Sequence, residues 1–147
     1  MKNVPRKLLL LAQAAANEVA EATGVSVVEI VSTSRIQHVV IARMMVMALL
    51  RRCGLTLETV GLLTCRDHGT VIHAVKRIES IETDDRGFER LMVSLLISLK
   101  STHPNLLPRH WSTQVDAITH SIERLRRHPE ALAKITQFTK DLAAQAS

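Results

Sequence analysis

Arg66-Asp67-His68-Gly69-Thr70-Val71-Ile72-His73-Ala74 sets a guanidinium, a carboxylate, an imidazole and a hydroxyl almost side by side. Such groups offer complementary hydrogen-bond donors and acceptors, the chemistry that reads base edges and holds phosphates. At about 100° per residue, Val71, Ala74, Val75 and Ile78 gather on one side of a helix. Gly69, Thr70, His73, Lys76, Arg77 and Ser80 fall on the other. Asp67 stands where it can cap the helix, and a carboxylate there can also accept from a cytosine amino group. Lys76 and Arg77 suit phosphate. Upstream, Leu57 to Leu63 reads as a shorter amphipathic helix joined through Thr64 and Cys65. The pair outlines a helix-turn-helix, whose second helix presents its N-terminal residues to a major groove. A surface helix with an aspartate cap that contacts nothing has the same pattern.

A second group of cations points the same way. Between Ser32 and Cys53 stand Arg35, Arg43, Arg51 and Arg52 without one acid. Arg43 and Arg51 are about two turns apart on one helix and find no partner in the nearby sequence. A phosphate backbone would supply that partner. Arginines that snorkel from a core helix, or pair with distant acids, account for the pattern equally.

Rival chemistries fare worse. Cys53, Cys65, His68 and His73 are the candidate metal ligands, but zinc fingers need two cysteines close together. His68 and His73 point in different directions, and Asp67 and His68, adjacent on a helix, diverge too far for a dyad. None of the seven histidines lies in a nucleophile or metal motif, and no GxxxxGK[ST] phosphate loop occurs. No enzyme activity, cofactor or metal is expected.

The elements that must position these groups follow from composition and breakers. The 147 residues, 46% of them hydrophobic, suffice for one helical core with an appended lobe. A formal charge of +5 permits a nucleic-acid partner. With no tyrosine, and only Phe88, Trp111 and Phe138 as aromatics, a stacking platform for single strands is not expected. Two cysteines make no disulfide framework and fit a reducing cytoplasm. Lys2, Arg6 and Lys7 before Leu8 to Ala12 resemble a secretory signal, yet Gln13 and Glu18 interrupt the run. Leu8, Leu11, Ala15 and Val19 instead make one buried helical face. No apolar run reaches the ~20 residues of a membrane span.

The expected helices run from about Pro5 to Thr23, from Ser26 through Val31, and from Val39 to Cys53. Ser32 to His38 reads as a loop. The helix-turn-helix pair follows to about Ile81, then a turn at Thr83 to Gly87 and a helix over Phe88 to Lys100. The fold class is all-α, a multi-helix helix-turn-helix domain over 1–100. Residues 101–112, with Pro104 and Pro108, form a linker or ordered loop. A C-terminal helical hairpin occupies 113–147. Val115, Ile118, Ile122 and Leu125 make one stripe there, and Leu132, Ile135, Phe138 and Leu142 another. Helices this short are not stable alone. They imply packing on the first lobe, on each other, or on a homodimer or protein partner.

From about Asn17 to Ser101 the order of residues resembles the C-terminal DNA-binding domain of the bacterial replication initiators of the DnaA family. The resemblance rests on Val19-Ala20-Glu21, Gly24-Val25-Ser26, Ser34-Arg35, Ala42-Arg43, Leu57 and Gly61. It continues through Arg66-Asp67-His68, Thr70-Val71, His73-Ala74 and Ile78-Glu79. It implies that Arg35 enters a minor groove and that Asp67, His68 and Thr70 meet base edges in the major groove. It also sets Leu57 near a base or sugar edge, and Arg43, Arg51 and Arg66 on phosphates. Departures accompany it. Gly69 holds the position of a base-contacting threonine, and Glu58 that of a proline. Thr33, Ile36 and Gln37 thin a basic loop, and the turn before Arg66 lacks the usual glycine pair. Each lost base contact is worth about 1–3 kcal/mol of discrimination.

The expected function is sequence-specific binding of double-stranded DNA. The chain would serve as a stand-alone regulator or competitor at initiator-like boxes, on the nucleoid of a bacterial cytoplasm, with no membrane. The alternative is a protein-interaction module that keeps the fold without specific DNA binding. Residues 51 to 84 carry as many acids as bases, which favours that alternative. Convergence of Arg35, Arg43, Arg51 and Arg66 with Lys76 and Arg77 favours DNA, and scatter over different faces the interaction module.

Overall fold

Capping residues set the helix ends. The computed structural model describes residues 4–108, 137, 140–141 and 143–145. Helix α1, Arg6–Thr23, follows Pro5 and ends at Gly24, whose left-handed φ of 76° lets its N–H reach the Ala20 carbonyl. Helix α2, Val27–Val31, opens on a capping box. Ser26 Oγ accepts from the Glu29 N–H, while the Ser26 N–H donates to Glu29, both at 3.2 Å. Helix α3, Gln37–Arg52, begins two residues before the expected Val39. Ile36 precedes it and offers no side-chain cap. A start without a polar cap leaves no mark in sequence.

Helix α3 is the centre of the fold. Val39, Ala42, Met45, Val46, Met47, Ala48, Leu49 and Leu50 are all buried, and the helix packs against every other α-helix of the first unit. Such burial contributes about 1.5–3 kcal/mol for each large side chain. Helix α1 covers α3 with Leu11, Ala14, Ala15, Ala16 and Val19, while Leu8 is half-buried. Helices α4, Leu57–Thr64, and α5, His68–Asp84, form the helix-turn-helix. Val71, Ala74 and Ile78 of α5 are fully buried, as the stripe predicts, and Val75 is half-buried. A fork–fork ion pair reinforces the α3–α5 contact. Arg52 donates through Nη1 to Glu82 Oε2 at 3.0 Å and through Nη2 to Oε1.

The expected turn over Thr83 to Gly87 is confined to Asp85. Helix α5 continues to Asp84, and Asp85 alone separates it from α6, Arg86–Thr102. Asp85 ends one helix and caps the next, accepting from the Phe88 N–H at 3.1 Å. Its polar neighbours therefore sit in exposed helix rather than in a loop. Residues 101–102 complete α6, and a 3₁₀ turn at Pro104–Leu106 packs on α1 and α6. Residues 101–108 fall within the first compact unit.

The chain divides into two compact units, Met1–Pro108 and Arg109–Ser147. In the second, the described residues are helical and Gln137 donates to Asp141 at 2.9 Å. The two apolar stripes expected there lie outside the described residues. Among the described residues there is no strand, and no helix is long and apolar enough to cross a membrane.

The connection between α4 and α5 turns through Cys65, at φ 55° and ψ 42°. This left-handed conformation costs a residue with a Cβ about 1–2 kcal/mol. Cys65 is exposed, so its side chain recovers little by burial. Cys65→Gly should raise stability by up to about 1 kcal/mol, part of the relief being lost to glycine's freer unfolded chain. A urea melt comparing midpoints checks it, and an unchanged or lower midpoint counts against strain at this turn.

Candidate nucleic-acid interface

Helix α5 opens with four exposed residues, Asp67 as its cap and then His68, Gly69 and Thr70. Asp67 Oδ1 accepts from the Thr70 N–H at 3.3 Å and from the Thr70 hydroxyl. Both bonds use the same oxygen. Oδ2 is left on the side of Gly69, 3.4 Å from where a Cβ on that glycine would stand. The first turn thus presents an oriented carboxylate oxygen as acceptor, the hydroxyl oxygen and methyl of Thr70, and an imidazole. A carboxylate oxygen can accept from a cytosine amino group, and a methyl can pack on that of thymine.

The Thr70 hydroxyl, followed by its N–H, holds the Asp67 carboxyl below the usual carboxylate range. Both donors favour the charged form. The folded pKa is depressed, so the contribution to stability is present above the ordinary carboxylate pKa. It is lost as pH falls through the folded value. The group therefore stays ionised at neutral pH. Thr70→Val removes the first cause, and a carboxylate-detected NMR titration should find the Asp67 midpoint moved up toward its ordinary value. An unmoved midpoint would show that the hydroxyl does not hold the carboxylate.

The turn ahead of α5 is held from α4. The Gly61 carbonyl accepts from the N–H groups of Cys65 and Arg66, the latter at 2.9 Å. A Cβ on Gly61 would stand 2.5 Å from the Arg66 carbonyl oxygen. Only glycine allows so close an approach. Leu57, half-buried, opens α4 behind its cap Thr56, which accepts from the Thr59 N–H at 3.2 Å.

The arginines divide into two sets. Arg66 Nη2 donates to the Ser32 carbonyl at 3.0 Å and Nη1 to the Cys65 carbonyl at 3.1 Å. Arg43 is buried, 9% exposed. Its Nε donates to Ile30 O at 2.8 Å, Nη1 to Ser34 O at 3.1 Å, and Nη2 to Ser32 O at 2.6 Å and Glu29 O at 3.5 Å. Burial, and then the charge of Arg66, lower its pKa. The expectation that Arg43 lacks an internal partner is therefore corrected, because main-chain carbonyls supply several. Arg51 has one too, Leu55 O at 2.7 Å, and its side chain is exposed. Arg35 is exposed in the loop whose carbonyls Arg43 and Arg66 hold. Three of the four arginines thus converge on residues 32–36. Arg51 sits at the opposite end of α3, and Lys76 and Arg77 are exposed along α5.

Ser32 is the residue that sequence reasoning missed. It acts through its main-chain oxygen, which any residue type possesses, and only the geometry identifies it. The candidate metal ligands stay apart in character. Cys53 is buried in the core, where burial pushes its thiol up to about 11, and Cys65 is exposed. A metal needs the thiolate, which that burial disfavours.

Residues 13–78 match the family model for the bacterial DnaA protein helix-turn-helix. The chain is 42% identical over 57 residues to the chromosomal replication initiator protein DnaA of Kosmotoga olearia, covering 38% of this chain and 13% of that protein. A crystal structure of a DNA replication initiation factor superposes with a TM-score of 0.61 at 29% identity, over 67% of this chain and 30% of that one. The chain therefore spans under a third of the length of these relatives. Residues 13–78 form a helix-turn-helix of the DnaA C-terminal type, a fold that implies binding of double-stranded DNA.

Proposed function

We propose that this chain recognises initiator-like boxes in double-stranded DNA sequence-specifically, as a stand-alone regulator or as a competitor for such sites. Helix α5 enters the major groove with Asp67, His68, Gly69 and Thr70 at base edges and Leu57 beside them. Arg35 enters the adjacent minor groove. Arg51, Arg66, Lys76 and Arg77 meet phosphates, and the expectation of Arg43 on a phosphate is taken up below. The observation that carries this reading is the shared Ser32 carbonyl, which ties the Arg35 loop to the turn before α5. A minor-groove arm and a major-groove helix must be held in register to act on one site. Occupancy of the box is then the whole activity, without cofactor or turnover. The stripes of 113–147 support a homodimer or a protein partner, since two linked half-sites raise affinity without new base contacts.

Fluorescence anisotropy on a duplex carrying the initiator box and on a scrambled duplex, across a salt series, tests the proposal. A preference for the box is expected, with Arg35→Ala reducing it by about five- to tenfold. Lys76→Ala should weaken both duplexes alike and flatten the salt dependence by about one unit of slope. Salt-sensitive binding without preference would replace box recognition by an architectural role. No binding to either duplex at low salt would favour the protein-interaction module.

A further inference from the structure

We infer that Arg43 is a positioning residue for Arg35, setting the minor-groove loop before DNA arrives, rather than a phosphate contact. This rests on the DNA-binding reading above. Helix α2 has only five residues, too few to be stable alone, and its last carbonyls have no partner within it. Arg43 reaches from α3 to two of them, on Glu29 and Ile30, and places its positive charge at the helix C-terminus. The same guanidinium then takes the carbonyls of Ser32 and Ser34. The Ser34 carbonyl belongs to the peptide unit that joins Ser34 to Arg35. Together with the bond from the Ile36 N–H to Ser34 Oγ, which holds the next peptide unit, this restricts the direction in which Arg35 leaves the backbone.

The loop is also braced from within. Ser32 Oγ donates to Glu29 O at 2.6 Å and accepts from the Ser34 N–H at 3.2 Å, and Ser34 Oγ accepts from the Ile36 N–H at 3.3 Å. Arg66 adds the tie to the recognition helix through the Ser32 oxygen. A phosphate reaching Arg43 would meet a side chain only 9% exposed, with four bonds already made to carbonyls. A loop ordered in advance avoids an ordering cost on binding. Arg43 thus acts on the DNA through Arg35.

Arg43→Lys keeps the charge and removes the planar fork. It should accelerate amide hydrogen exchange at residues 33–36 in the free protein and weaken box binding by about fivefold. In an Arg35→Ala background the Arg43→Lys loss should vanish, because the residue it positions is gone. A loss that simply adds to that of Arg35→Ala would overturn the inference and return Arg43 to phosphate contact or general stability. If Arg43→Lys does not fold, Arg66→Gln serves, since Arg66 is half-exposed and its removal should also loosen 33–36 by exchange. Unchanged exchange there would overturn the tie. If the unaltered protein binds neither duplex, the DNA reading fails, and the exchange data still decide whether Arg43 orders the loop.

Discussion

Gly61→Ala should lower stability by about 1–3 kcal/mol and weaken DNA binding on the order of tenfold or more, the 1.4 kcal/mol of a helix held out of register. The added Cβ would stand 2.5 Å from the Arg66 carbonyl oxygen, and the obstructing atom is main chain that cannot rotate aside. The turn must move. It carries Arg66, whose guanidinium reaches Ser32, and then Asp67, which caps α5. A displacement there shifts the recognition helix relative to the Arg35 loop, so binding suffers beyond the loss of folded protein. Gly24→Ala is the control. Its Cβ would meet nothing within 4 Å, but its φ of +76° is strained for any residue with a side chain. That variant should lose about 1 kcal/mol and leave binding by the folded fraction unchanged. Urea melts and anisotropy on both variants separate the effects. Equal binding by the two would mean that the α4–α5 turn does not set the register.

Much of this was legible in sequence because it depends on side-chain type. The stripe of Val71, Ala74 and Ile78 against exposed Thr70, His73, Lys76 and Arg77 follows from helical period and stands as expected. Gly24 ends α1 and Ser26 opens α2 for reasons of conformation and capping that composition reveals. What stayed hidden depends on main-chain atoms. Arg43 reads as a cation without a partner because its partners are carbonyls 9 to 14 residues away, which carry no residue identity. The junction at Asp85 reads as a turn because Thr83 to Gly87 is polar, and a polar run looks alike in a loop and in exposed helix. The early start of α3 at Gln37 has the same origin, since a cap without a side-chain bond leaves only exposed polar residues to judge.

Gly69→Thr should tighten binding to the initiator box by about 5- to 150-fold, the equivalent of the ~1–3 kcal/mol that one good base contact contributes. The resemblance implies a base-contacting threonine at this position, and the geometry here leaves room for it. Gly69 lies in the first turn of α5 without a positive φ, and a Cβ there would meet Asp67 Oδ2 at 3.4 Å, an ordinary contact distance. Helix propensity adds a few tenths of a kcal/mol to stability, roughly the gap between glycine and threonine. That gain is too small to be mistaken for the binding effect. Replacing each thymine of the box in turn by deoxyuracil removes one methyl, and the gain should fall away at a single position. The opposite outcome is equally informative. A new hydroxyl beside Asp67 can engage Oδ2 and so withdraw the outward acceptor. Binding to the box would then stay flat while discrimination at the cytosine weakens. In that case Gly69 preserves the free carboxylate oxygen, and the sequence this protein prefers differs from the initiator box at the position facing Asp67.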